Sequence, residues 1–400
     1  MIRNLLIPIG LIIPFVLAGA TATPQRSKSR PKSSRASTSR AGTKAFVAPA
    51  SRTSSVKTSA VKKSAVSTPA RKRRAVYSPW DTPTFADSTW GDVVDGEDLT
   101  VRRAAVQALG PYNGTVVVAD PNTGRVLSIV NQKLALTGAY QPCSTIKLVA
   151  GMAGLSEGVI ERETRLRLSR RESIDLTYAL AKSNNYYFAN IGEKLGFEKV
   201  NHWARLFGLG EKAGLNIQGE SPGIFPEEKP KGVTVGLMTS FGEAIGLTPL
   251  QLAAMVSSIA NGGTLYYLQY PRNQEEVANL TPRIKRQLDI QQQIPDMRPG
   301  MMGAVDFGTA RRANYDANEP IFGKTGTCTD SRTHLGWFGS FNEVGRHRLV
   351  VVVLLTGGKS INGPVAAGIA GQVYKNLSAQ QFFAAERTIA PTALIHGDVR

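Results

Sequence analysis

A serine hydroxyl becomes a useful nucleophile only beside a base. In this 400-residue chain Ser144 and Lys147 stand three apart in Ser144-Thr145-Ile146-Lys147, just after Pro142 and before an apolar run suited to a buried helix. At a helix start that spacing puts both side chains on one face, one turn apart. The amine can then take the hydroxyl proton, provided burial or neighbouring cations lower its pKa. The free N–H groups of the helix start lie near a reacting carbonyl. Spacing alone carries little. Ser29 and Lys32, Ser54 and Lys57, and Ser59 and Lys62 repeat it in a Ser/Lys-rich stretch with almost no large apolar side chains.

Two further sets follow in order. Ser183-Asn184-Asn185 closes the helical stretch Asp175 to Lys182. On a tight turn Ser183 can relay a proton between Lys147 and a leaving amine, and Asn185 can bind a substrate amide. A plain helix terminus accounts equally well for Ser and Asn there, and Ser360-Ile361-Asn362 has the same pattern. Gly323-Lys324-Thr325-Gly326-Thr327 opens a predicted strand. Lys324 offers a cation and Thr325 a hydroxyl for a substrate carboxylate. Gly326 lets a ligand backbone approach closely, and the backbone N–H groups of Thr327 and Ser144 can pair as an oxyanion hole.

These residues need a scaffold. The sequence predicts a helix over Leu99–Leu109, ended by Gly110-Pro111. Strands follow over 114–120 and 125–130, joined by the turn Pro121-Asn122-Thr123-Gly124. A helix-rich middle runs from Ser144 to about Asn261. Residues 269–300 are polar and Gln-rich, read as a loop with a short helix. Strands return at 321–328, 335–342 and 348–356, and a helix closes at 364–377. Strands at both ends with helices between them predict one α+β domain whose sheet unites the two ends.

The net charge of +18 suggests a nucleic-acid binder until it is located. Fifteen Lys and Arg lie between Thr21 and Trp80, where there is no Asp or Glu, so the remainder is nearly neutral. Residues 1–20 read as a signal peptide or membrane anchor. Arg3 precedes an apolar run from Leu5 to Ala20 that carries Pro8 and Pro14 and ends on the small-x-small pattern Ala18-Gly19-Ala20. Its sixteen residues are short for a span, which takes roughly 20, so a cleaved signal is favoured. Residues 21–79 read as a disordered basic linker, unable to bury enough surface to order. It serves either as a solvated spacer or as electrostatic adhesion to anionic membrane or wall polymer; export excludes nucleic acid as a partner. Residues 80–380 form the domain and 381–400 a C-terminal tail.

Taken together, the three sets resemble the active site of penicillin-binding proteins and serine β-lactamases. Leu247-Thr248-Pro249-Leu250-Gln251-Leu252 through Ile259-Ala260-Asn261-Gly262-Gly263 is similar to a helix of that transpeptidase domain. Gly114 to Asn131 resembles its opening hairpin, and Trp337-Phe338 with Leu349 to Leu355 its late strands. The resemblance covers roughly residues 95–380. It implies a β-lactamase/transpeptidase-like fold: an antiparallel sheet flanked by helices, with a helical subdomain. It implies a peptidoglycan D,D-transpeptidase of the periplasm or the outer face of the cytoplasmic membrane, acting on stem peptides and acylated by β-lactams. Ser144 is then the acylated residue and Lys147 its base. Ser183 and Asn185 line the cleft, and Lys324, Thr325, Gly326 and Thr327 bind substrate. No cofactor or metal is implied, and four scattered His give no ligand set.

Class A β-lactamases place a Glu, with an Asn a few residues later, between the second and third sets. Pro226-Glu227-Glu228-Lys229-Pro230 lacks that Asn, so slow hydrolysis is expected. Glu243-Ala244 stands where the family often has Gln-Gly. A D,D-carboxypeptidase shares every motif, a β-lactamase is the next alternative, and a non-catalytic penicillin sensor or scaffold a further one. Some class A carbapenemases carry a disulfide at the positions matching Cys143 and Cys328, the only two cysteines. The resemblance and an oxidising compartment imply that bond here; two buried thiols are the alternative.

Overall fold

The structure is a computed structural model that describes residues 82–330, 333–345 and 348–384. The expected leader at 1–20, the linker at 21–79 and residues 385–400 of the tail lie outside the described residues. Among the described residues no helix is long and apolar enough to cross a membrane.

Helix α1 (Leu99–Leu109) starts where Asp98 accepts hydrogen bonds from the Thr100 and Val101 N–H groups, and it ends at Gly110, whose φ is 56°. Val101, Ala104, Ala105 and Leu109 fall on one face and are buried. Strands β1 (Gly114–Ala119) and β2 (Val126–Val130) form the first hairpin. Strands β3 (Ile321–Thr329), β4 (His334–Asn342) and β5 (Val350–Gly357) come from the other end of the chain. All pair antiparallel, in the order β2-β1-β5-β4-β3. The two ends meet at β1 and β5, with Val117 opposite Val352.

Strand β5 is buried at every position, and its alternation divides the core. Val350, Val352 and Leu354 face the helical middle. Val351, Val353 and Leu355 face α1 and the closing helix α8 (Gly363–Ala379). The packed chain continues to Phe383, which is buried in that second layer. Strand β3 is left at the sheet edge, and along it the candidate site is built.

The middle centres on α2 (Lys147–Ser156), buried from Lys147 through Gly154, as a helix apolar on all sides must be. Around it lie α3 (Leu176–Ala181), α4 (Asn185–Leu206), α5 (Val235–Phe241), α6 (Pro249–Ala260) and α7 (Ile294–Asp306). The expectation of a loop with one short helix over 269–300 is corrected. Ile284–Gln287 pairs with Thr264–Tyr266, and the longer helix α7 packs on α3 and β3. Pro295 sits harmlessly in its first turn. Gly300 reflects close packing: a Cβ there would lie 2.8 Å from Leu180 Cβ.

Helix α6 carries the Thr-Pro-Leu-Gln stretch, whose chemistry is structural. Thr248 and Gln251 form a reciprocal capping box. The same Gln251 amide donates to the carbonyls of Gly208, Glu211 and Pro222, at 3.3, 2.9 and 2.7 Å. Replacing it leaves buried carbonyls unpaired, so Gln251→Ala should cost about 2–4 kcal/mol. Thermal or urea unfolding of the variant measures this; an unchanged midpoint would contradict it.

Candidate active site

One turn of 3-10 helix, Cys143–Ile146, delivers Ser144 to α2. The Thr145 N–H and hydroxyl both bond the Pro142 carbonyl and fix that turn. Lys147, the first residue of α2, is fully buried. Its Nζ lies 2.7 Å from Ser144 Oγ, 2.5 Å from Asn185 Oδ1, 3.1 Å from Ser183 O and 3.2 Å from Ser183 Oγ. Burial lowers its pKa to about 7. At neutral pH a sizeable fraction of this amine is unprotonated and able to accept the proton of the hydroxyl it touches.

Ser183 is aimed by its backbone. Helix α3 ends just before it, its φ is 57°, and Asn184 caps α4 by accepting from the Tyr187 N–H. That left-handed turn brings Ser183 and Asn185 both within hydrogen-bond reach of the Lys147 amine. From β3, Lys324 reaches the same place, its Nζ 2.8 Å from Ser183 Oγ and 2.9 Å from Thr325 O. It too is fully buried, and its pKa is pushed well down by burial and then by the Lys147 charge. The ammonium expected on a substrate carboxylate thus faces Ser183, under cover.

Thr325, the next residue of β3, places its hydroxyl 2.6 Å from that of Thr309. Thr309 follows α7, and its backbone N–H bonds the Ala181 carbonyl. Nothing in Gly308-Thr309-Ala310 marks this residue in the sequence; only the docking of α7 on β3 brings it here. Thr327 is exposed and accepts from the Gly363 N–H at 2.7 Å. The structure therefore gathers Ser144, Lys147, Ser183, Asn185, Lys324 and, through the strand, Thr325 and Thr327. A cavity of about 600 Å³ lined by Leu215, Tyr270 and Arg272 lies elsewhere and shares none of these residues. Among the described residues no group of three or more His, Cys, Asp or Glu is arranged to hold a metal.

The model of the penicillin binding protein transpeptidase domain matches residues 114–375. The chain belongs to that family. Stage V sporulation protein D of Bacillus subtilis is 31% identical over 67% of this chain and 48% of its own length. The peptidoglycan D,D-transpeptidase MrdA of Acinetobacter baumannii is 25% identical over 58% of this chain and 43% of its own. The chain thus spans about half the length of these relatives. In fold it is similar to Pseudomonas aeruginosa PBP2, solved in complex with WCK 5153 (TM-score 0.62, 23% identity, 75% of this chain and 78% of that one). The antiparallel sheet flanked by helices is the β-lactamase-like transpeptidase fold.

In this transpeptidase domain the loop before Ser144 is held from several directions. Cys143 and Cys328 form a disulfide, with Cα atoms 5.5 Å apart, tying the residue before Ser144 to the end of β3. The implied pairing is present and the two-thiol alternative is not. Gly326 lies between: a Cβ there would stand 2.9 Å from the Pro142 carbonyl oxygen and 3.1 Å from Trp337 Cβ. Its smallness admits the loop carrying Ser144 as well as any ligand. Trp337 Nε1 donates to the Gln141 carbonyl at 3.0 Å. The departure at Glu243-Ala244 also acquires a local reading. Glu243 accepts from Gln141 Nε2 at 2.9 Å, and Ala244 holds a φ of 63° that glycine tolerates better.

Because the disulfide closes a long loop, replacing both cysteines with serine should cost about 2–5 kcal/mol. Calorimetry of the double variant, beside wild type with and without reductant, measures it. Equal midpoints in all three would contradict a stabilising role.

Proposed function

We propose that the chain is a peptidoglycan D,D-transpeptidase working through an acyl-enzyme on Ser144. One observation carries this reading: a fully buried Lys147 amine, its pKa brought to about 7, bonded at once to Ser144, Ser183 and Asn185. The neutral amine takes the Ser144 proton as Oγ attacks the carbonyl of the penultimate D-Ala of a stem peptide. The N–H groups of Ser144 and Thr327 receive the developing oxyanion. Ser183, polarised by Lys324, passes the proton from Lys147 to the leaving D-Ala amine. Asn185 holds a substrate amide. Thr325 and Thr327 hold the terminal carboxylate, with Lys324 contributing its field. The amine of a second stem peptide then attacks the ester and forms the cross-link.

β-Lactams enter the same path and stop at the acyl-enzyme. Transfer is favoured over trimming by relatives named D,D-transpeptidases. Slow hydrolysis is favoured by the segment 226–230, exposed at 227–229, which lacks the residue pattern of a deacylating base. The substrate places the domain outside the cytoplasm, in the periplasm or at the outer face of the membrane. The basic segment 21–79 fits an anionic membrane or wall polymer there.

Incubation with fluorescent penicillin should label the wild type stably and leave Ser144→Ala unlabelled. Label lost within seconds would make the protein a β-lactamase, and an unlabelled wild type would reject the nucleophile. Lys147→Ala should slow acylation by about 10³-fold, within the range of general base catalysis. The wild-type rate constant should rise with pH, reach half its plateau near pH 7 as Lys147 loses its proton, and fall about tenfold per unit below. A flat profile between pH 5 and 9 would remove Lys147 as the base.

A further inference from the structure

Beside the site described above stands an exposed ledge that the chemistry so far does not use. Tyr178 on α3 and Phe307 after α7 are both well exposed, 45% and 41%, and their rings stack with centroids 6.1 Å apart. Lys182 lies against both, its Nζ 5.7 Å from the Tyr178 centroid and 5.3 Å from that of Phe307. The amine donates to the Phe307 carbonyl at 2.5 Å. Among the described residues no carboxylate forms an ion pair with it. The ledge thus presents a positive charge without an ion-paired carboxylate on an apolar aromatic support, to which a ligand anion is attracted.

Its position gives it a candidate occupant. Lys182 immediately precedes Ser183. The turn from Phe307 to Thr309 runs from the ledge to the sheet: Thr309 N–H bonds Ala181 O, and Thr309 Oγ1 bonds Thr325 Oγ1. Under the function proposed above, on which this inference rests, Thr325 holds the carboxylate of the leaving D-Ala. The attacking amine must enter the volume that D-Ala vacates, because attack is the reverse of departure. The part of that acceptor beyond its own α-carboxylate has a neighbouring support in the ledge, which joins Thr325 through Thr309. We propose that Tyr178, Lys182 and Phe307 form an acceptor subsite that selects amines bearing a second carboxylate.

The step itself is simple aminolysis. The acceptor nitrogen bonds the acyl carbon, the bond from that carbon to Ser144 Oγ breaks, and one amine proton passes through Ser183 and Lys147 to Ser144. No other reactant is needed. Lys182 positions the acceptor and touches none of the reacting atoms.

The test uses the full chain, a small N-acyl-D-alanyl thioester as donor, and D-glutamate or D-glutamine as acceptor. This pair is nearly isosteric and differs in the second carboxylate. Amide product is quantified by mass spectrometry, and the ratio of the two aminolysis rate constants is read within each variant. Wild type should prefer D-glutamate about fivefold, the scale of one partly exposed ion pair. Lys182→Met should bring the ratio to about one, and Lys182→Arg should retain most of it. A purely structural Lys182 would change both acceptors alike and leave the ratio standing. That result overturns the proposal, as does a wild type that shows no preference or no acceleration by D-glutamate. Loss of labelling by fluorescent penicillin would instead refute the acyl-enzyme reading, so the two failures are distinguishable.

Discussion

An ammonium taken out of water must be bonded on several sides or give up its proton. Lys147 and Lys324 are both fully buried, and both reach a single atom, Ser183 Oγ, at 3.2 and 2.8 Å. Two full positive charges so placed repel strongly in surroundings poor in water. Proton loss relieves that repulsion and also yields a lysine that can act as a base. Much of the surrounding architecture serves to hold this pair together. The left-handed turn at Ser183 offers an oxygen to both amines, α2 buries Lys147, and β3 carries Lys324 in at the sheet edge.

The same constraint accounts for the number of restraints on the loop before Ser144. A serine within 2.7 Å of the amine is useful only if it stays there. The disulfide, the small Gly326, the Trp337 hydrogen bond and the Thr145 turn each fix that loop from a different direction. Sheet pairing between β1 and β5 makes the arrangement dependent on both ends of the chain. The site therefore belongs to the completed fold and to no local segment.

Much of this was legible in the sequence, for physical reasons. The hairpin of β1 and β2, α1, the late strands and α8 announce themselves by alternation, caps and glycine or proline stops. The motif residues Ser144, Lys147, Ser183, Asn185 and Lys324 could be singled out because their order adds to spacings that are weak alone. The cysteine pairing followed from resemblance. What escaped depends on contacts between distant segments. Helix α7 is masked by Pro295, Pro299 and Gly300, the last of which is small because Leu180 packs against it. Thr309 and Phe307 matter only once α7 docks. Burial of Lys324 reverses the simple picture of a cation facing ligand.

The charge state of the buried pair can be read without any substrate. Carbon-13 labelling of lysine side chains, with Lys147 assigned by the signal lost in Lys147→Arg, allows its titration to be followed by NMR in the folded domain. A midpoint near pH 7 is the result this account requires. A Lys147 that titrates near its ordinary 10.5 would mean a permanently charged amine, and the base, the proton relay and the role of burial would fall with it.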